Sequence, residues 1–228
     1  MEKDKKMKLV DENVKTIFMT KSEYLELAQQ KGWNVKIPQL KSGTYNCDVF
    51  GGSGVTIYSA FTISGTLFLK DGAIFNTDIS AHEGIILGNH ANTYNLTSDN
   101  GDIILGNNAS TLILTAQNVI CGNYLNTDDE NIFATNGNVI LGHHATTGNI
   151  SACNDVSIGD DAITDNIFAG NDVSIGNTTI ITGSITASNV RIGNDATISV
   201  IFANSIISIG DNPNIANVFI RGNGNNSV

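Results

Sequence analysis

The 228-residue chain has little proline, few charged residues and few aromatic residues. Two residues are proline, 15% are charged and 7% are aromatic, whereas 23 are glycine. Asn, Ile, Thr and Ser are common where helical proteins have Leu, Glu, Lys and Ala, and this composition favours short β-strands separated by turns. No apolar run approaches the roughly 20 residues of a membrane-spanning helix. The N-terminus also lacks the apolar segment of a signal peptide.

Basic residues are scarce outside the first 42 positions. Residues 1–42 contain nine basic and six acidic residues, a net charge of +3, whereas residues 43–228 contain three basic and sixteen acidic residues, a net charge of −13. Because contacts with phosphates need Lys and Arg, we expect no nucleic-acid binding by the acidic body. The basic leader offers at most a weak contact to a membrane surface or another protein.

The cysteines do not form a recognisable disulfide or metal framework. Cys47, Cys121 and Cys153 make an odd number and contain no CxxC pair. We expect buried free thiols, which are typical of a reducing compartment. Together with the missing signal segment, they predict a cytoplasmic protein.

A tetrapeptide of a β-branched residue, a variable residue, an apolar residue and glycine recurs along the chain. It reads VSIG both at 156–159 and at 173–176, and eight copies end at glycines spaced by 18, 16, 20, 17, 17, 17 and 17 residues. Self-similarity at a short, fixed period is the signature of a solenoid. The repeated glycines are Gly88, Gly106, Gly122, Gly142, Gly159, Gly176, Gly193 and Gly210.

The repeat predicts an all-β fold, a single-stranded β-solenoid (β-helix) of about ten turns, or rungs, of roughly 17 residues each. A second apolar pair, such as Ile150 and Ala152, follows each glycine by about eight residues, as expected of short strands with alternate side chains inward. Gly, Asn and Asp at the corners are expected to provide positive φ. Two or three less regular rungs are expected upstream, within 47–84.

The residue after each repeated glycine is usually Asn or Asp. In a solenoid these residues stack at one corner, where their side chains can form hydrogen bonds from rung to rung. The predicted corner ladder is Asn89, Asn107, Asn123, Asp160, Asn177, Asn194 and Asp211, with His143 in the same position of its own rung.

Three segments follow from these patterns: a basic leader at 1–42, the solenoid at 43–222 and a polar, flexible tail at 223–228. The leader contains one predicted helix, at about 21–31, which starts with a Thr20/Glu23 capping box. The helix would either cap the N-terminal end of the rod or dock on a neighbouring subunit. Its apolar face is formed by Tyr24, Leu25 and Leu27, with Ala28 beside them.

One outward position changes character along the rod. It lies between the two inward residues of each glycine-ended strand and reads Ile86, Ile104, Ile120, Ile140 and then Ser157, Ser174, Arg191, Ser208. Stacked outward isoleucines form an apolar stripe, which usually marks a contact surface. The leader helix, or a second subunit, is predicted to cover it.

Residues suited to catalysis or metal binding are sparse. No dinucleotide, phosphate-loop, nucleophile-elbow or HExxH motif is present. The histidines are His82, His90, His143 and His144, and His90 and His143 lie three rungs apart, too far for a metal site across adjacent rungs. The pair His143–His144 is expected at a solvated corner, and 128–130 is expected to be a solvated acidic loop. Thr178, Thr182 and Thr186 do not share a register, so no flat threonine column of the ice-binding kind is predicted. We expect no enzyme activity, cofactor or metal.

The units VSIGDDA, VSIGNTT and VRIGNDA, with NIFAGN and SITASN between them, resemble two solenoid families. The hexapeptide-repeat acyltransferases share the aliphatic–Gly–x–x–small pattern, but the intervals of seventeen break a multiple of six. The bactofilins, bacterial cytoskeletal proteins with a β-helical polymerisation core and short polar tails, are similar in coil length, rung composition and basic leader. This resemblance covers about residues 50–220 and implies a polymer-forming protein.

The sequence therefore predicts a structural protein that assembles with itself into filaments. The rods would join end to end through exposed rungs, with Val218 and Ile220 at one end, by strand pairing and continuation of the apolar core. Two alternatives remain open. One is a spike- or adhesin-like module that holds a glycan or protein on a solenoid face, and the other is a hexapeptide-repeat-like acyltransferase.

Overall fold

The structure, a computed structural model, describes residues 7–11, 14–19, 43–46 and 48–221. From residue 43 onward, the described chain forms a parallel β-solenoid of about ten turns that are about 17 residues apart. Each strand pairs with the equivalent strand of the next turn, so a rung never pairs with itself. The predicted fold class is confirmed.

Face 1 of the solenoid is the ten-stranded sheet formed by the glycine-ended tetrapeptides. Its register pairs equivalent residues, for example Ile103 with Val119 and Val173 with Val190. The strands are β4 Val49–Gly51, β7 Thr66–Leu69, β10 Gly84–Leu87, β12 Asp102–Leu105, β14 Val119–Cys121, β16 Val139–Leu141, β18 Val156–Ile158, β21 Asp172–Ile175, β23 Asn189–Ile192 and β25 Ile207–Ile209.

Face 2 is a second parallel sheet, formed by the apolar pairs that follow each glycine. In its last three rungs the strands are longer, because each also includes the residues of face 3. The first of these strands has a register shift between Ile181 and Ser184. The strands are β3 Gly43–Tyr45, β6 Phe61–Ile63, β9 Ile79–Ala81, β11 Leu96–Ser98, β13 Leu114–Ala116, β15 Ile132–Ala134, β17 Ile150–Ala152, β20 Ile167–Ala169, β22 Ile180–Ala187, β24 Thr197–Ala203 and β26 Asn214–Ile220.

Face 3 lies between the repeated glycine and face 2 and is less regular. It contains β5 Thr56–Ile57, β8 Ile74–Phe75 and β19 Ile163–Thr164, and single bridges join the intervening rungs. In the leader, β1 Met7–Asp11 and β2 Val14–Met19 pair as an antiparallel hairpin, which the sequence did not predict. The helix predicted at about 21–31 lies outside the described residues.

The interior is one continuous apolar core. Inward residues of face 1, such as Ile103 and Leu105, and of face 2, such as Ile132 and Ala134, are at most 4% exposed. The residue three places after the repeated glycine, such as Ala109, is also buried in every rung from Gly88 to Gly193. A single core made of stacked columns is the expected source of stability in a solenoid, where each rung contacts only its neighbours.

The repeated glycine is required by the close approach of the previous rung. A Cβ atom on Gly106 would lie 2.6 Å from the backbone nitrogen of Asn89 and 2.7 Å from the carbonyl carbon of Gly88. The positive φ expected at this corner falls two residues later, and only Gly54 and Gly72 supply it as glycine. In the other rungs it is adopted by His90, Asn108, Tyr124, His144, Asp161, Thr178, Asp195 and Asn212.

Candidate functional site

The structure places the residues of the predicted corner ladder in one column. The side-chain oxygen of Asn89 accepts a hydrogen bond from the backbone N–H of Asn107 at 2.8 Å, and each following pair repeats this contact at 2.7–2.9 Å. His143 takes part through Nδ1, which accepts from the N–H of Asp160. The ladder begins one rung earlier than the sequence indicated, at Asp71.

Two further ladders at the other corners were missed by the sequence analysis. Their members stand immediately before the first inward residue of a strand, as Asn149 stands before Ile150, and this Asn/Asp–aliphatic pair could have identified them. One ladder joins Asn131, Asn149 and Asn166 to Ser184. The other joins Asp102, Asn118, Asn138, Asp155, Asp172, Asn189 and Ile206.

The four isoleucines predicted to form an outward stripe are stacked in register on face 1. Ile140 is 43% exposed, and the other three are half-buried. The column continues upstream into the half-buried Phe68 and the buried Phe50, whose ring centroids are 5.8 Å apart. The face-1 stripe is therefore Phe50, Phe68, Ile86, Ile104, Ile120 and Ile140.

Downstream of Ile140 the same column is polar, with Ser157, Ser174, Arg191 and Ser208. Tyr24, Leu25 and Leu27 of the leader lie outside the described residues, so their contact with the stripe stays a prediction.

The outward column of face 2 is polar in its first half and carries aromatic residues in its second half, the reverse of the column on face 1. Its first five rungs carry hydroxyls, so one run of threonine and serine does share a register, contrary to the sequence analysis. A groove of about 590 Å³ follows these hydroxyls, beside Asp78 and Asn95. The full column is Thr44, Thr62, Ser80, Thr97, Thr115, Phe133, Ser151, Phe168, Thr186, Phe202 and Phe219.

The C-terminal end of the described solenoid exposes core positions. Val218 and Ile220 pair in register with the inward residues Ile201 and Ala203. Ile201 and Ala203 are at most 2% exposed, whereas Val218 is 44% exposed and Ile220 is 56% exposed. These two side chains are at the surface because no described residue forms a further rung over them.

All four histidines are exposed, and His82, His143 and His144 each lie beside an aspartate. The closest nitrogen–oxygen distances are 3.6 Å for His82 with Asp99 and 3.4 Å for His143 with Asp160. The ring of His144 stacks on that of Tyr124 with centroids 4.6 Å apart. Among the residues that the structure describes, no three His, Cys, Asp or Glu side chains are grouped so that they could hold a metal ion.

The two described cysteines have opposite environments. Burial raises the pKa of the Cys121 thiol far above its usual value, so this thiol stays protonated in the core. Cys153 is exposed, so the expectation of buried thiols is wrong for this residue. Cys47 lies outside the described residues.

Comparisons with known proteins assign no family. No family model, curated protein or solved structure matches the chain. In the described part of the chain, no helix is long and apolar enough to cross a membrane.

Proposed function

We propose that the chain is a non-enzymatic structural protein of the bactofilin kind, which assembles with copies of itself into filaments by end-to-end stacking of rungs. The observation that supports this most directly is the open C-terminal rung, where Val218 and Ile220 hold core positions at the surface. The proposed partner is a second copy of the same chain, and the proposed location is the cytoplasm.

A second rod could continue both the backbone pairing and the core of the first. Among the described residues, strands β25 and β26 are the last strands of faces 1 and 2, and no described strand pairs with their outer edges. Edge strands are ready templates for pairing with another chain. A rung added there would cover Val218 and Ile220, and burying such side chains stabilises by about 1.5–3 kcal/mol each.

The corner ladder also favours the addition of a second rod at the C-terminal end of the described solenoid. Each ladder side chain accepts a hydrogen bond from the backbone of the following rung, and Asp211 is the last member within the described residues. The carboxylate of Asp211 therefore stands where the next rung would donate an N–H. A rung from a second molecule would supply this donor together with the paired strands.

The leader has a separate role in this proposal. Its net charge of +3 is opposite to the −13 of the remaining chain. We propose that the leader covers the face-1 stripe of its own rod or docks on that of a neighbour, which leaves the rod ends free for growth. Its attraction to the acidic body would weaken as salt concentration rises.

Negative-stain electron microscopy at physiological salt tests the assembly. We expect filaments from the unmodified chain and their loss in the double variant Val218→Asp/Ile220→Asp, because charged side chains at the joint oppose burial. A matched control is Ile163→Asp/Ile180→Asp, which changes two isoleucines of similar exposure, 45% and 40%, on the side of the rod. The control should still form filaments.

Discrete trimers or monomers of the unmodified chain would overturn the proposal, as would unchanged filaments in the end variant. A stable trimer that binds an acyl-carrier cofactor would instead favour the acyltransferase alternative. A small fixed oligomer without such binding would favour the adhesin-like module.

A further inference from the structure

The second half of the face-2 column is an exposed aromatic track. Four of the nine phenylalanines of the chain lie in this column and are 38–54% exposed: Phe133, Phe168, Phe202 and Phe219. Exposed aromatic side chains gathered in one column are unusual in a soluble protein and mark a binding surface. The track comprises Phe133, Ser151, Phe168, Thr186, Phe202 and Phe219.

Mutual stacking accounts for only two of the four rings. Phe202 and Phe219 stack, with centroids 5.1 Å apart and planes 12° apart. Phe133 and Phe168, however, are two rungs apart with Ser151 between them, so their rings are separated by about 9–10 Å. Thr186 separates Phe168 from Phe202 in the same way.

Neutral hydrogen-bonding groups surround the rings. Ser151 and Thr186 place hydroxyls between them, and the exposed amides of Asn149 and Asn166 run along one side as part of a corner ladder. None of the eleven residues of the face-2 column is charged, in a chain with 34 charged residues. The surface thus offers apolar ring faces alternating with hydroxyls along one line.

We propose that the face-2 column binds an extended, uncharged, β-linked polysaccharide that lies along the rod axis. The apolar C–H faces of sugar rings pack on aromatic rings, and sugar hydroxyls bond to hydroxyl and amide groups. In an extended β-linked chain, alternate sugars present the same face, and the sugar spacing is close to the strand spacing. Aromatic rings on alternate rungs match this repeat.

The charge of the protein favours this ligand over a second copy bound side by side. Lateral pairing of two rods would bring together two bodies that each carry −13, and like charges in contact destabilise a complex. It would also bury the hydroxyls of Ser151 and Thr186 against apolar rings, where an unsatisfied hydroxyl is costly. A neutral glycan incurs neither cost, whereas an anionic glycan would be repelled.

The first half of the column extends the same track. Thr62, Ser80 and Thr97 line the groove of about 590 Å³ and provide hydroxyls without rings. A ligand that runs along the whole face would therefore be held by stacking in one half and by hydrogen bonds in the other. The binding surface lies on the side of the rod, so it does not depend on filament formation.

Affinity electrophoresis of the full chain tests the proposal with two soluble probes that share a backbone, hydroxyethyl cellulose and carboxymethyl cellulose. We expect retardation in the neutral polymer and much less in the anionic one. The variant Phe133→Ser/Phe168→Ser introduces a residue that the column already uses, and we expect it to weaken binding by at least about tenfold. The control Ile163→Ser/Ile180→Ser changes exposed isoleucines outside the track and should bind like the unmodified chain.

Three results would overturn the proposal. The first is that the neutral polymer does not retard the unmodified chain. The second is that it retards the track variant, Phe133→Ser/Phe168→Ser, as much as the unmodified chain. The third is a side-by-side dimer, seen by sedimentation without glycan, that the track variant abolishes. Circular dichroism of each variant checks the fold, and Phe133→Tyr/Phe168→Tyr, which keeps both rings, should restore binding if a folded Ser variant has lost it.

Discussion

The two halves of the rod have similar apolar interiors on faces 1 and 2 but opposite exteriors. In the first half, the outward column of face 1 is apolar and that of face 2 carries hydroxyls. In the second half, face 1 carries Ser157, Ser174, Arg191 and Ser208, whereas face 2 carries phenylalanines. The exchange is complete within about two and a half turns, between Thr115 and Ser157.

This contrast separates what specifies the fold from what remains available for contacts. The inward columns of faces 1 and 2 and the side-chain ladders are alike in both halves, and they create the core and hold consecutive rungs together. An outward residue contacts its column neighbours and solvent, so its polarity can change at little cost to folding. Apolar residues kept outward over several rungs are therefore better explained by contacts than by stability.

The largest expected effect is the loss of stability when a buried isoleucine is replaced by alanine, and it tests whether the cores of the two halves are equally well packed. Ile103 in the first half and Ile185 in the second are both 0% exposed. Each change to Ala should lower the free energy of unfolding by about 2–5 kcal/mol, because it removes buried apolar surface and leaves a cavity. Urea denaturation measures this loss.

The control is Ile163→Ala, an outward change that should cost less than about 0.5 kcal/mol. If Ile103→Ala and Ile185→Ala differ by more than about 2 kcal/mol, the two interiors are not equivalent.

A smaller effect is expected on the exterior of the first half. Ile104→Ser/Ile120→Ser interrupts the face-1 stripe, and it should weaken docking of the leader or of a second subunit by about 2 kcal/mol, since less apolar area is buried. Limited proteolysis of residues 1–42 and sedimentation measure this change. Ile163→Ser/Ile180→Ser serves as the matched exterior control. Unchanged protease resistance and unchanged oligomer size in the stripe variant would refute the docking.

The sequence was sufficient to predict the solenoid, the corner ladder and the face-1 column because all three keep a fixed distance from the repeated glycine. Ile104 and Ile120 each stand two places before a glycine, so the period alone aligns them. The face-2 column lies across two corners of variable length. The steps from Thr115 to Phe133, Phe168 and Phe202 are therefore 18, 35 and 34 residues, and no single period reveals the aromatic track.

The sequence pattern also did not predict the polar residues that are buried inside the rod. Thr164 is 2% exposed, and its hydroxyl donates to the carbonyl of Gly148 at 2.6 Å. Thr147 donates to Thr164 at 3.0 Å in the same inward column. A polar residue at a strand position is ordinarily read as outward, and only the corner carbonyls reveal why these hydroxyls face inward. The buried threonines of this column are Thr93, Thr111, Thr127, Thr147 and Thr164.

The smallest effect is expected when the residue at one corner position is exchanged between the two halves. Asn108 in the first half has φ 57° and Thr178 in the second has φ 52°, at equivalent positions. Positive φ is tolerated by Asn but is strained for a β-branched residue. Thr178→Asn should therefore raise the free energy of unfolding by about 0.5–1 kcal/mol, and Asn108→Thr should lower it by a similar amount. Thermal denaturation measures both, and a loss of stability in Thr178→Asn would show that the hydrogen bond from Thr178 to Asp161 outweighs backbone strain at this corner.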